Sequence, residues 1–426
     1  MRTSLLLIAL ATTSLLSAQN WTIEEIGNLP FKTSNNAVTL AYQNGEPLVY
    51  SFCGIDSTLD HKGIHLKAGA VNVNTGESIQ YPEVPDTLGK VAAGASTVKN
   101  KIYIIGGYHV YDNGSELSSN KVHCFNPETG GWEADRSPLP VAIDDHVQAV
   151  WQDSLIYVIT GWSDTKNVHN VQIFDPATNE WTTGTAVPNN NRYTAFGASG
   201  TIIGNTIYYL GGANMSNNFP ATWRLRIGEI NPSNPAEITW RDTLLSTNEK
   251  FYRAACVNVS GHPMWYGGSS TTYNYDGFAY AGGAVVQPAD KSYLYVDPTE
   301  ATSYSTPNLP MDLRGAGELN TTTKLLAGGM YADREVCDKV VKCTWGFPLS
   351  IAETKVPTIT VYPNPARNVI HMSQIAEVKV YSTNGQLVYE GITNQVNTDV
   401  WHDGLYIVTT HFKDKLKFHK VVKSSW

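Results

Sequence analysis

The chain is poor in charge. Asp, Glu, Lys and Arg make up 16% of its 426 residues, and the acidic ones outnumber the basic by 38 to 30. A formal charge of −8 leaves no basic surplus to displace counterions, so general nucleic-acid binding is excluded. No stretch holds the roughly 18 consecutive apolar residues that a membrane-spanning helix needs. There is no C-x-x-C, hence no zinc knuckle or thioredoxin-type pair. No glycine-rich phosphate loop opens a helix, and neither G-x-S-x-G nor H-E-x-x-H occurs. No cofactor and no metal is therefore expected. Cysteine is scarce. Cys53, Cys124, Cys256, Cys337 and Cys343 are an odd set, so at least one lacks a partner within the chain. Cys337 and Cys343 pair only if the chain turns between them, because six extended residues span roughly 20 Å.

What is present is apolar and aromatic: 42% hydrophobic, 11% aromatic, with 35 Gly and 23 Tyr. That composition rules out a disordered, solvated chain and leans toward an all-β fold. The first 20 residues carry one charge, Arg2, then an apolar run from Leu5 to Ala11 and the small pair Ser17-Ala18. This is the pattern of a secretory signal over residues 1–18. No Cys follows the run, so lipid anchoring is not expected.

A β-run ending in glycine recurs along the chain. Its terminal residues are Gly54, Gly107, Gly161, Gly212, Gly268 and Gly329, spaced 53, 54, 51, 56 and 61 apart. A second run precedes each copy (Val91–Val98 is one), a third follows, and a fourth starts at a tryptophan and ends near a proline, as in Trp132–Pro140 and Trp181–Pro188. Turn signals such as Asn126-Pro-Glu-Thr-Gly separate the runs. Each unit is thus four short strands. One such sheet cannot bury both faces alone, and radial packing solves this while leaving only short edges.

The Gly-Gly pair after a β-run, the aromatic before it and the later tryptophan resemble kelch repeats, and the resemblance covers residues 21–350. It is weaker in the first, fifth and sixth copies. Cys53-Gly54 stands for the glycine pair in the first, and Tyr304 for the tryptophan in the fifth. The fold expected over residues 19–348 is a six-bladed kelch-type β-propeller. Trp21-Thr-Ile-Glu-Glu resembles the outermost strands of other copies, and the last copy stops after its third strand. The N-terminal strand is therefore expected to complete the last blade and close the ring.

After a linker at 349–357 the pattern changes. Residues 358–426 read as a small Ig-like β-sandwich with a hairpin turning at Asn384-Gly385. They carry seven Lys and Arg against five Asp and Glu, so +2, while the rest of the chain carries −10. Tyr362-Pro363-Asn364-Pro365, the turn at Gly385 and Gly404-Leu-Tyr-Ile-Val closely resemble the C-terminal sorting domain of the type IX secretion system. The resemblance implies passage through the periplasm, then transfer across the outer membrane by the type IX machinery, and a secreted or surface location.

On a propeller of this kind the turns from strand four to strand one and from strand two to strand three open on one face, around the channel mouth. The first set offers Lys90, Asp144, Asp145, His146, Arg192, Tyr193, Arg253 and Arg314; the second offers Tyr108 and Trp162. Arg192, Arg253 and Arg314 come from three consecutive blades and would converge near the axis. Guanidinium forks suit carboxylates and sulfates, and aromatics beside them suit sugar faces. The opposing reading is that these arginines bond carbonyls of adjoining blades and hold the wheel together. Asp144-Asp145-His146 is the most polar cluster, though alternation lets at most two of the three face the channel.

Two function classes remain open: a propeller binding a glycan or protein ligand, and a surface sugar enzyme. Kelch propellers include copper radical oxidases, but here seven histidines are scattered over the blades without an H-x-H pair, and Cys53, Cys124 and Cys256 read as blade-body residues. They also include sialic-acid mutarotases, whose Glu and Arg pair would be imitated by Glu318 with one of the three arginines. The Tyr- and Gly-rich insert from Ser269 to Lys291 is a candidate binding loop.

Overall fold

A computed structural model of the chain describes residues 20–215, 220–245, 248–273, 286–297, 301–306, 309–346, 359–412 and 415–425. The expected signal segment 1–18, the linker 349–357 and the middle of the fifth-blade insert lie outside the described residues. The chain divides into two compact units, Met1–Phe347 and Pro348–Trp426.

The first unit holds six sheets, antiparallel but for one short parallel pair. In the first blade the order is Ala37–Gln43, Glu46–Ile55, Ile64–Asn72, Ser78–Tyr81. The next four blades begin at Val91, Val147, Phe196 and Ala255. The outermost strands are shorter than the sequence suggests: Gly131–Trp132 and Glu180–Thr183 stop well before the prolines. Each innermost strand touches that of the next blade, around the full circle. Six blades around an axis form a β-propeller.

The ring closes as expected. Asn20–Asn28 is the outermost strand of the sixth blade, antiparallel to Lys339–Gly346 with Trp21 opposite Trp345. The two indole rings meet edge to face at 5.1 Å, and Tyr304 of the fifth blade packs on Trp345 at 4.8 Å. On the inner side Arg314–Gly315 runs parallel to Ala37–Val38, joining the last blade to the first. Apolar clusters fill the spaces between neighbouring blades. One joins Tyr50, Phe52 and Ala70 of the first blade to Ile102, Ile104 and Phe125 of the second.

The glycine pairs have a local cause. The second glycine donates its N–H to a carbonyl of the next blade in five of six copies: Gly54 to Lys90, Gly107 to Ile143, Gly212 to Phe251, Gly268 to Pro310 and Gly329 to Thr33. A Cβ on Gly211 would lie 1.9 Å from the Phe251 carbonyl oxygen, and its φ of +75° suits glycine. The third blade has Thr160-Gly161, and there the threonine hydroxyl donates to Val168 O and accepts from Ala195 N instead.

In the second unit the strands are Val361–Tyr362, Val369–Ser382, Leu387–Asn397, Gly404–Phe412 and Lys415–Lys423. All five are hydrogen-bonded into one sheet, which does not establish the Ig-like β-sandwich expected of residues 358–426. The long strand Val369–Ser382 pairs with Val361–Tyr362 through its first half and with Gly404–Phe412 through its second. Ala366 bridges to Lys423, so the sheet curls on itself around Ile370, Val378, Val380 and Val408. Asn364 explains the Tyr-Pro-Asn-Pro motif. Its side chain donates to Lys420 O (2.9 Å) and accepts from Val422 N (2.8 Å), standing in for a strand partner. Both X-Pro bonds of that motif, Tyr362-Pro363 and Asn364-Pro365, are cis. Gly385 takes φ +80° in the hairpin turn and Gly404 opens the fourth strand.

Candidate functional site

At the start of the six innermost strands stand Asn35, Ala92, Asp145, Gly197, Arg253 and Asp312. All six adopt left-handed φ, between +46° and +65°. Each passes a hydrogen bond to the next blade: Ala92 N to Asn35 O, Asp145 N to Ala92 O, Gly197 N to Asp145 O and Arg253 N to Gly197 O. Leu313 N to Arg253 O and Asn35 N to Asp312 O complete the circle. Five of these residues are not glycine, and left-handed backbone costs them roughly 1–3 kcal/mol each. The ring of inter-blade hydrogen bonds offsets that strain.

Side chains of the same positions form a buried ionic hub. Arg253, fully buried, grips Asp145 with Nε (3.1 Å) and Nη2 (2.5 Å) and reaches Asp312 with Nη1 (3.3 Å). Its guanidinium faces the rings of Tyr252 and Tyr273. Burial is the largest single influence and would lower the Arg253 pKa, but Asp145, Tyr252 and Asp312 together outweigh it and the pKa rises. Arg314 lies 3.5 Å from Asp145 and donates Nη2–H to His146 O at 2.6 Å. Asp312 also accepts from Ser34 and Tyr273. Burial and the charge of Asp145 push Asp144 well up, toward its neutral form, beside the hydroxyl of Ser118. Burial, then Arg314, push His146 down to about 4; the neutral ring donates Nε2–H to Gln148.

Over this hub lies an apolar cluster that includes Tyr108, Tyr252, Tyr273, Met311, Met330 and Val336, all buried. Sequence reasoning places an open channel mouth here, and the structure places a seal. Asp145, His146, Arg253, Arg314 and Tyr108 are at most 7% exposed. Lys90 is also buried, with Nζ 2.6 Å from Asp86 and 3.2 Å from His123 Nε2. Two of the three arginines meet at one carboxylate; the third does not. Arg192 precedes the hub position of its blade, which is Gly197, and its 62%-exposed side chain binds Asp242 instead. Tyr193 is buried, while Trp162 is half-buried against Phe196 on the outer part of the face.

Beneath the hub runs an axial channel of about 370 Å³ with walls from all six innermost strands. Its polar lining includes Ser96, Gln148, Ser199, Arg314 and Glu318. Cys256 also lines it, unlike the blade-body position the sequence suggests. Glu318, the exposed residue at the far end, is held by Lys324 Nζ (2.7 Å) and Asn258 N (3.3 Å). All five cysteines are free thiols. Among the described residues no cluster of three or more His, Cys, Asp or Glu is placed to hold a metal, and no helix is long and apolar enough to cross a membrane.

Comparison with known proteins agrees with this architecture. Residues 84–287 match the KLHDC2/KLHL20/DRC7 kelch-repeats domain, and residues 360–424 match the secretion system C-terminal sorting domain. The chain is therefore a kelch-repeat propeller joined to a type IX sorting domain, a secreted kelch protein. The Kelch-like protein terF of Aspergillus terreus is 27% identical over 128 residues, which are 29% of this chain and 27% of that protein. Kelch-like protein 36 of Mus musculus is 27% identical over 111 residues, 26% of this chain and 17% of that one. The chain thus spans about a quarter or less of these relatives. The solved structure of YjhT shares the fold, with a TM-score of 0.58 at 14% identity over 74% of this chain and 96% of that one. The sorting domain marks the chain for export to the cell surface or beyond it.

Proposed function

We propose that this is an exported binding protein that takes a glycan or protein ligand on the face where its four-to-one and two-to-three turns open. The observation that supports this most is the seal over the hub. The hub's charged groups are buried and engaged with one another, which suits a broad ligand on the surrounding turns better than a small substrate among them. The acids a catalyst would need are engaged: Asp145 by two arginines, Glu318 by Lys324. What the face offers is Trp162, Arg192 and the exposed Tyr111 and Leu117 of the second blade. The test is the full chain on an array of neutral and acidic glycans and on immobilised surface proteins. Specific capture lost in Trp162→Ala supports the reading; no capture at high protein concentration overturns it.

A second reading keeps a sugar enzyme of the mutarotase or epimerase kind in the axial channel, because Arg314 and Glu318 both line it. They stand four positions apart in two short strands, Arg314–Gly315 and Gly317–Glu318, up to about 13 Å of extended chain, which is long for one sugar ring. NMR of ring-opening in an acidic monosaccharide, with and without protein, decides it.

A further inference from the structure

The rim of the fourth blade gathers more positive charge than it neutralises. Three arginines meet around Asp242, itself 4% exposed in its side chain. Arg192 binds it with Nε (3.3 Å) and Nη2 (2.8 Å), and Arg224 binds it through Nη1. The third, Arg226, is fully buried behind them and has no carboxylate. Its Nε donates to Arg192 O (2.7 Å), and its Nη1 to Gly211 O (2.7 Å) and Arg224 O (3.0 Å). Its Nη2 is buried without a partner, and its guanidinium lies 5.2 Å from the Tyr209 ring. Nearby, Lys250 Nζ sits 5.2 Å over the ring of Trp223, the residue before Arg224.

Among the described residues Asp242 is the one carboxylate paired with these arginines. Three guanidinium charges against one carboxylate leave two in excess, in a chain whose overall balance is −8. Arg192 is open to solvent, so the unpaired buried charge is that of Arg226, and a buried charge without a carboxylate is unfavourable. Burial pulls Arg226 down to about 10, so it still carries its charge at neutral pH. Among the described residues Arg192 bonds Asp242 through Nε and Nη2 alone, and its side chain is 62% exposed. It belongs to the turn into the fourth blade and Arg224 opens that blade's third strand, so both stand on the proposed binding face.

We infer that Arg192 and Arg224, backed by Arg226, form a site for an oxyanion group carried by a glycan, a sulfate or a carboxylate. This deepens the binding reading and rests on it. Asp242 orients the two forks and the anion docks on the donors it leaves free.

The experiment titrates the full chain with two probes by calorimetry, a sulfated heparin tetrasaccharide and an unsulfated polyglucuronate. Both arms are repeated with Arg192→Ala, Arg192→Lys and Lys166→Ala, the last an exposed lysine on the neighbouring blade. The inference expects one probe to bind and Arg192→Ala to weaken it at least tenfold. Arg192→Lys should restore part of the loss, and Lys166→Ala should change affinity less than twofold. Tighter binding of heparin names sulfate; tighter binding of polyglucuronate names carboxylate. Equal losses in Arg192→Ala and Lys166→Ala would reveal a diffuse electrostatic attraction and overturn the site. So would no binding of either probe. If a neutral glycan or a protein still binds and ignores Arg192, the site falls while the binding reading stands. If nothing binds at all, both fall.

Discussion

Replacing Asp145 by Ala tests whether the ionic hub holds the six blades together. The substitution leaves Arg253, fully buried, with Asp312 as its acidic partner at 3.3 Å, and deprives Arg314 of its own. Breaking a buried pair by removing one partner costs about 3–5 kcal/mol, because an uncompensated charge stays in a low-dielectric site. Unfolding entropy of about 2.1 cal/mol/K per residue over a propeller of roughly 330 residues gives about 0.7 kcal/mol/K. The melting temperature should therefore fall by about 4–7 °C, read by calorimetry on the full chain. Changing Asp145 and Arg253 together to Leu and Met should recover part of that fall, because a buried pair exchanged for apolar groups is often neutral. A drop under 1 °C in Asp145→Ala would refute the idea that the hub carries stability. A double variant worse than the sum of its parts would show that position 145 acts through its left-handed backbone instead.

Three further outcomes follow from the same geometry. Gly211→Ala places a methyl 1.9 Å from Phe251 O at a left-handed φ, so it should lower the melting temperature more than Gly204→Ala, whose added Cβ meets nothing within 4 Å. Burial is the largest cause that holds His65 and His146 down to about 4 in the fold, against 6.5 unfolded. A depressed folded pKa means that stability is whole above pH 6.5 and drains as pH falls toward 4, at up to roughly 2.7 kcal/mol per pH unit for the pair. Thermal scans across that window should show the slope, and His146→Gln should reduce it; an unchanged slope would refute the assignment. Trp21→Ala removes a ring packed on Trp345 and Tyr266 and a bond to Ser292, at the seam where the ends of the ring meet. It should cost about 2 kcal/mol and raise amide exchange along Lys339–Gly346 before the other blades open.

The spacing of the glycine pairs was enough to count the blades, because each pair meets a steric demand from the next blade's carbonyl. Trp21 announced the closing strand, because an outermost strand has to cover the neighbouring core with an aromatic. The hub was not legible in the same way. Asn35, Ala92, Asp145, Gly197, Arg253 and Asp312 are of five residue types; what they share is a left-handed backbone and one hydrogen bond, and neither leaves a mark in a single sequence. Arg192 misled for that reason. Its distance from Arg253 matches the distance from Arg253 to Arg314, but five residues separate it from Gly197, the position that joins the ring. Candidates named for an open mouth were drawn from the right turns. Burial by Tyr108 of the second blade and Met311 and Met330 of the sixth decided their fate. The same holds for Arg224 and Asp242, which become partners of Arg192 only across the blade.

Amide hydrogen exchange of the full chain, with and without a captured ligand, tests the account most directly. The account predicts new protection in the turns around Trp162 and Arg192, with the innermost strands unchanged. Protection along Val147–Trp151 and Phe196–Ile203, with silent turns, would put the ligand in the axial channel and contradict a sealed binding face.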